Sequence, residues 1–205
     1  MKKKKIDLNL VTIHTSSSVS VDPREHIEDT NEDCTEFINH ISGEIKMYDF
    51  SKNDNNDTIT IGKFQLMLLW GTDEMIYESL DNHSFSTSFY SQELYEDSNT
   101  TMKDEYYNLA PDVFDNRFLI IENVEIDKEY RGRGIIKKLI ETLNITYCIP
   151  MVLKPFPLQY EGTFGDEEVL KTLPPFEESL KKVINSYKKC GFKKPKRNSQ
   201  LMVRY

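Results

Sequence analysis

Six residues, Arg131-Gly132-Arg133-Gly134-Ile135-Ile136, put two glycines and two guanidinium groups where a strand-like run gives way to a helix-like one. The first turn of a helix leaves backbone N–H groups without partners at the positive end of the helix dipole, so such a junction attracts anions. Glycine lets the backbone come close to a phosphate oxygen. Arginine adds charge-assisted donors. A pyrophosphate group fits this turn. The dinucleotide pattern Gly-x-Gly-x-x-Gly and the Walker ending Lys-Ser/Thr are both absent, so the two common phosphate loops are set aside.

Other reactive residue types form no pattern. Cys34, Cys148 and Cys190 are odd in number and far apart, with no Cys-x-x-Cys spacing, and they suit a reducing compartment. His14, His26, His40 and His83 are equally scattered and read as surface or satisfied core residues, so no metal is expected.

The elements that must position the turn follow from apolar periodicity. Residues 117–126 read as a strand, apolar at Phe118, Leu119, Ile120, Ile121, Val124 and Ile126. Residues 134–146 read as a helix carrying Ile135, Ile136, Leu139, Ile140 and Leu143 on one side. A strand over 147–153, a last helix over 176–190 ended by Gly191, and a closing strand over 201–203 complete this half. Upstream, residues 5–14 alternate as a strand, 15–33 read as a loop, and 34–41 read as a short helix ended by Gly43. Two strands over 44–50 and 58–70 form a hairpin through the polar turn 52–57. Residues 73–115 carry no strand signal and predict two or three short helices. Residues 154–175, with four prolines and two glycines, predict a long loop with one helical turn near 167–170.

The glycine turn and its flanks resemble the GNAT superfamily of N-acetyltransferases. Its acetyl-CoA motif, Arg/Gln-x-x-Gly-x-Gly/Ala after a strand, is met by Arg131 to Gly134, with Ile136 standing where the family has Gly or Ala. The second family signature, Tyr-x-x-x-Gly-Phe, appears as Tyr187-Lys188-Lys189-Cys190-Gly191-Phe192. The resemblance is strongest over residues 117–205, moderate over the hairpin, and does not extend to the segment 73–115.

The resemblance implies an α/β fold (α+β in its layering) with a mixed, mostly antiparallel sheet flanked by helices and a helical insertion before the motif strand. The sheet would splay at that strand to admit the cofactor. It implies a single acyl-CoA N-acyltransferase domain over 1–205 with insertion 73–115 and long loop 154–175. Arg131, Gly132, Arg133, Gly134, Ile135 and Ile136 would cradle the pyrophosphate of acetyl-CoA. The backbone of Val124, Glu125 and Ile126 would pair with the pantetheine arm. Acyl transfer to an amine needs a base for the amine, donors for the oxyanion and a proton for the leaving thiolate. Tyr187 would be the acid, and Glu122 the base acting through water. Strand alternation puts Glu122, Val124 and Ile126 on one side and Asn123 and Glu125 on the other. The expected reaction is transfer of acetyl to a primary amine of a small molecule or peptide by direct attack in a ternary complex. Competing readings are a non-catalytic acyl-CoA- or partner-binding module, supported by Ile136, and a toxin-like aminoacyl-tRNA acetyltransferase.

Charge distribution bears on the acceptor. Residues 73–115 hold eleven Asp or Glu against Lys103 alone, whereas 181–205 hold nine Lys or Arg and no acid. The first suits a cationic amine acceptor, with Tyr90, Tyr95, Tyr106 and Tyr107 available for cation–π contact. The second suits a phosphate-bearing ligand. A net charge of −8 argues against a nucleic-acid partner. At 205 residues, 38% hydrophobic and 29% charged, the chain has the composition of an ordinary globular domain. No apolar run is long enough for a membrane span, and no signal-peptide pattern is present, so a cytoplasmic protein without a membrane partner is expected. A homodimer stays open.

Overall fold

Phe118, Leu119, Ile120 and Ile121 are consecutive apolar residues, and a strand holds such a run only when both its faces are covered. The computed structural model, which describes residues 6–17, 37–48, 57–96, 101–107, 117–161 and 167–205, has that arrangement. Its strands are β1 (Val11–Ser17), β2 (Ile38–Tyr48), β3 (Thr58–Trp70), β4 (Arg117–Ile126), β5 (Met151–Leu153) and β6 (Met202–Arg204). They lie side by side in chain order. Every neighbouring pair is antiparallel except β4 and β5. The helices are α1 (Asp73–His83), α2 (Phe85–Leu94), α3 (Asp104–Tyr107), α4 (Ile135–Tyr147), α5 (Glu167–Thr172) and α6 (Phe176–Lys189). The fold is therefore the expected mixed, mostly antiparallel sheet flanked by helices.

Successive residues of β4 feed two separate cores. Leu119 and Ile121 pack with Ile41, Ile45, Ile61, Phe64 and the α4 residues Ile135, Leu139, Ile140 and Leu143. Ile184 and Tyr187 of α6 lie against this core. Phe118 and Ile120 pack on the other face with Ile76 and Leu80 of α1, Leu94 of α2, and Tyr95 and Tyr106. The described parts of the 73–115 segment, residues 73–96 and 101–107, thus form three short helices as the sequence predicts, and they roof the second face. Its helices start on local caps: Thr72 Oγ1 accepts from the Met75 N–H at 3.3 Å, and Ser84 and Thr87 form a reciprocal box at the start of α2.

Three expected elements change. The helix over 34–41 is instead the start of β2; Ile38, Ile41 and Ile45 show helix-like spacing because Ile38 faces the second core while Ile41 and Ile45 face the first. Gly43 does not end a helix but sits in mid-strand, where a Cβ would fall 2.1 Å from the Phe64 ring. The N-terminal strand starts at Val11 rather than residue 5, because Asp7 accepts from the Asn9 N–H at 3.0 Å and caps a 3-10 turn, Leu8–Leu10. Strand 147–153 shrinks to β5, since α4 runs on to Tyr147 and Cys148 turns the chain with φ 52. The polar turn at 52–56, most of the loop at 15–33, and residues 34–36 lie outside the described residues. Among the described residues, no helix is long and apolar enough to cross a membrane.

Candidate active site

The pairing of β3 with β4 skips one residue: Gln65 faces Asn123 and the next pair is Leu66 with Ile121. Glu122 is therefore the extra residue of a β-bulge. A bulge shifts side-chain phase along the strand and re-aims residues, often beside functional sites. Val124 and Ile126 consequently join Leu119 and Ile121 in the first core. This corrects the simple alternation, which put Glu122 on the same side as Val124 and Ile126.

On its other edge β4 pairs with β5 over three residues only, Leu119 with Met151, Ile120 with Val152 and Ile121 with Leu153. The sequence explains the stop. Lys154-Pro155-Phe156-Pro157 follows, and proline has no N–H to extend a ladder. Beyond Leu153 the outer edge of β4 faces a cavity of about 280 Å³ instead of a strand. Glu122, Val124 and Ile126 line it from β4, Ile136 from α4, Phe156 from the proline segment, and Lys182, Ser186 and Tyr187 from α6.

This cavity continues at both ends. Through Ile126, Arg131, Ile136 and Ser186 it joins a space of about 390 Å³ around the glycine turn, lined by Gly132, Gly134, Ile135, Lys137 and Lys189. Through Glu122, Asn123, Lys154 and Phe156 it joins a space of about 730 Å³ under α2, lined by Gln65, Ser86, Ser88, Phe89, Tyr90 and Gln92. The three spaces share walls in series from the turn, past Tyr187 and Glu122, to the insertion, and together make the candidate groove.

At the turn, Gly132 and Gly134 have φ 74 and 83, which only glycine adopts without strain. The first intrahelical bond of α4 runs from the Lys138 N–H to the Gly134 carbonyl, so the N–H groups of Ile135, Ile136 and Lys137 have no partner among the described residues. These three donors, with Lys137 and Lys189 nearby, can hold an anion. Both arginines also make contacts within the protein. Arg131 Nε donates to the Ile126 carbonyl at 2.7 Å, tying the turn to the end of β4. Arg133 Nη2 donates to the Glu129 carbonyl at 2.6 Å and its guanidinium lies 5.7 Å from the Tyr130 ring centre. Arg131 still lines the groove, and Arg133 is absent from its walls. Glu125 likewise faces a separate hollow between β1 and β4. Asn123 Oδ1 is buried without a hydrogen-bond partner among the described residues, an unfilled acceptor beside the bulge.

Tyr187 owes its pose to the rest of its signature. Gly191, at φ 92, closes the end of α6, and the Phe192 N–H donates back to the Tyr187 carbonyl at 3.1 Å. That turn sets the Phe192 ring edge-on to Tyr187 with centres 5.7 Å apart. The hydroxyl makes no hydrogen bond among the described residues and lines the groove. Burial, with a smaller push from Cys190, raises it to about 12. At neutral pH it holds its proton. Burial also raises the Glu122 carboxyl, against an opposing pull from His83, which makes it a better proton acceptor than an exposed glutamate.

The insertion side of the site departs from the chemistry expected there. Tyr95 and Tyr106 are core residues and cannot hold an ammonium ion. Tyr90 is buried too; it lines the cavity, and burial raises its hydroxyl although the Lys154 backbone N–H opposes the shift. The cation–π contact in the cavity is made by the protein itself, Lys154 Nζ lying 3.5 Å from the Phe89 ring centre. Part of the acidic insertion is turned to the basic C-terminal stretch: Glu105 pairs with Lys196 at 2.5 Å and Glu93 accepts from Gln200 at 3.3 Å. Lys154 and Phe156 were missed in the sequence, although the proline pattern beside them marked the end of the ladder. Lys182 and Ser186 were missed as well, although their closeness to Tyr187 on the last helix could have pointed to them.

No family model matches the sequence, and no curated protein matches it. Among solved structures the chain is similar to a KacTA–DNA complex at 10% identity and TM-score 0.37, covering 94% of this chain and 91% of that one. It is similar to a mutant of KacT at 11% identity and TM-score 0.37, over 95% and 94%. A third likeness is to AtaTR bound with AcCoA, at 10% identity and TM-score 0.34, over 95% and 93%. Scores at this level carry no argument about activity.

Proposed function

We propose that this chain is an acetyl-CoA-dependent N-acetyltransferase that moves acetyl to a primary amine by direct attack in a ternary complex. The observation that carries the reading is the series of adjoining cavities that links an N–H-rich glycine turn to a bulged glutamate and a tyrosine hydroxyl without a hydrogen-bond partner among the described residues. The three donors at the start of α4 suit a pyrophosphate. The released edge of β4 suits an extended amide-bearing arm, which would add to the sheet as a strand does. The arm would bring its thioester to the part of the groove that Glu122 and Tyr187 share. The residues present fit acetyl-CoA.

In this reading Glu122 takes the proton that the amine loses on attack, directly or through one water. Tyr187 gives its proton to the departing thiolate, and its high proton affinity keeps it loaded until that moment. The acceptor enters from the cavity under α2, whose Ser86, Ser88, Gln65 and Gln92 offer neutral hydrogen-bonding groups. The test is thiol release from acetyl-CoA across panels of small amines, peptides and aminoacyl-tRNA. Acceptor-dependent release is expected. No release with any panel, while acetyl-CoA still binds, would leave a binding module instead of an enzyme.

A further inference from the structure

Two histidines 43 positions apart in sequence meet beside Glu122. His40 is the third residue of β2 and His83 is the last residue of α1. Their Nε2 atoms are 2.9 Å apart and their ring centres 4.8 Å. His40 Nδ1 faces Glu122 Oε2 at 3.8 Å. Neither ring lines the groove, whereas Glu122 does. The order from the groove outward is therefore Glu122, His40, His83.

A contact of 2.9 Å between two Nε2 atoms needs one donor and one acceptor, so the pair cannot be doubly protonated while it stands. It can hold one extra proton and share it. The 3.8 Å separation at Nδ1 is ion-pair reach and not a hydrogen bond, so a small rotation of Glu122 makes or breaks the link. Burial lowers His40's proton affinity, which favours prompt release. His83, the far end of the pair, is only half-buried at the end of α1, so it reaches water. The charged and titratable groups that share the cavity walls with Glu122 are Tyr90 of α2, Lys154 after β5, Glu161, Lys182 and Tyr187 of α6, and Arg131 of the glycine turn.

We infer that His40 and His83 are positioning residues that carry away the proton Glu122 takes from the acceptor amine. The inference rests on Glu122 acting as the base. In the relay the amine N–H bond breaks as a Glu122 O–H bond forms. That bond breaks as His40 gains a proton at Nδ1. His40 passes its Nε2 proton to His83 Nε2, and His83 releases its Nδ1 proton to water. No electron pair leaves the chain of partners, and Glu122 returns to carboxylate.

The experiment combines proton NMR titration of the histidine rings with pH–rate profiles, on wild type and on His83→Gln, His40→Gln and Glu122→Gln. In wild type the two rings should titrate in two linked steps; each His→Gln change should collapse these to one, and Glu122→Gln should lower the His40 midpoint. With His83→Gln, kcat should fall by on the order of tenfold at and above neutral pH, where neutral rings can accept the proton, and least in acid, with KM for acetyl-CoA unchanged and the rate restored by added imidazole. If His40→Gln does not fold, His83→Gln at the helix end carries the test. Independent titrations, or a pH–rate profile that does not move, overturn the relay alone. Absence of any acceptor-dependent thiol release in wild type overturns the acetyltransferase reading and the relay with it.

Discussion

Replacing Tyr187 by Phe separates chemistry from packing. The hydroxyl has no hydrogen-bond partner among the described residues, so its removal strands no polar group. The ring keeps its edge-on contact with Phe192 at 5.7 Å. Stability should therefore stay within about 0.5 kcal/mol of wild type. Turnover should not. Loss of a positioned acid costs on the order of 10²–10⁴ in rate, about 2.7–5.4 kcal/mol of transition-state stabilisation. The assay is thiol release at saturating acetyl-CoA beside a thermal melt of the same preparation. Affinity for acetyl-CoA should change little, because the substitution keeps the ring and leaves the glycine turn untouched. Burial and Cys190 hold the hydroxyl near 12, so wild-type kcat should show no alkaline fall from Tyr187 up to about pH 9. Wild-type turnover in Tyr187→Phe would refute the assignment and make the residue a packing ring. A large loss of stability would show that the hydroxyl has a structural partner.

Gly134→Asp should remove the stabilisation that acetyl-CoA confers, about 2.7 kcal/mol at a hundredfold excess over its dissociation constant. Gly134→Asn, which tolerates the φ of 83 better, serves as the backbone control, and an undiminished thermal shift in Gly134→Asp would move the phosphate site elsewhere. Glu122→Gln tests the raised carboxyl by linkage. A carboxyl with higher proton affinity folded than unfolded costs stability as pH rises from the ordinary glutamate value, about 4.3, through its folded value. The variant should gain on wild type in urea unfolding across that window and then run parallel; a constant difference would mean Glu122 is not raised. Tyr106→Phe removes a buried hydroxyl bond to Ser199 Oγ at 2.9 Å and should cost about 1 kcal/mol in urea unfolding, since it loosens the insertion from the C-terminal stretch. No change would mean that other contacts, such as Glu105 with Lys196, hold the insertion in place.

What could be read from the sequence was local. β4 runs over the predicted residues because its pattern of apolar positions is that of a strand between two covered faces. The glycine turn and the end of α6 were legible because each is a backbone conformation that a short string of residues dictates, at φ 83 for Gly134 and φ 92 for Gly191. β2 was misread because periodicity shows spacing and not which face is covered. Ile38 and Ile41 are three apart, as on a helix, yet they enter different cores. The bulge at Glu122 is a property of pairing: it exists only once Gln65 and Leu66 of β3 are set against Asn123 and Ile121, and nothing within 117–126 announces it. The same holds for charge. Eleven acids in one segment and nine bases in another read as two surfaces, but Glu105 and Lys196 meet, so part of each run answers the other. The candidate base follows this rule most closely. Glu122 has no local motif. Its position next to the groove comes from β3, its release from a paired edge comes from the prolines after β5, and its nearest proton acceptor is on β2 with a partner on α1. Four separate stretches of chain must fold together to build the surroundings of that carboxyl, which is why the glycine turn and the Tyr187 signature can be found by spacing and the setting of Glu122 cannot.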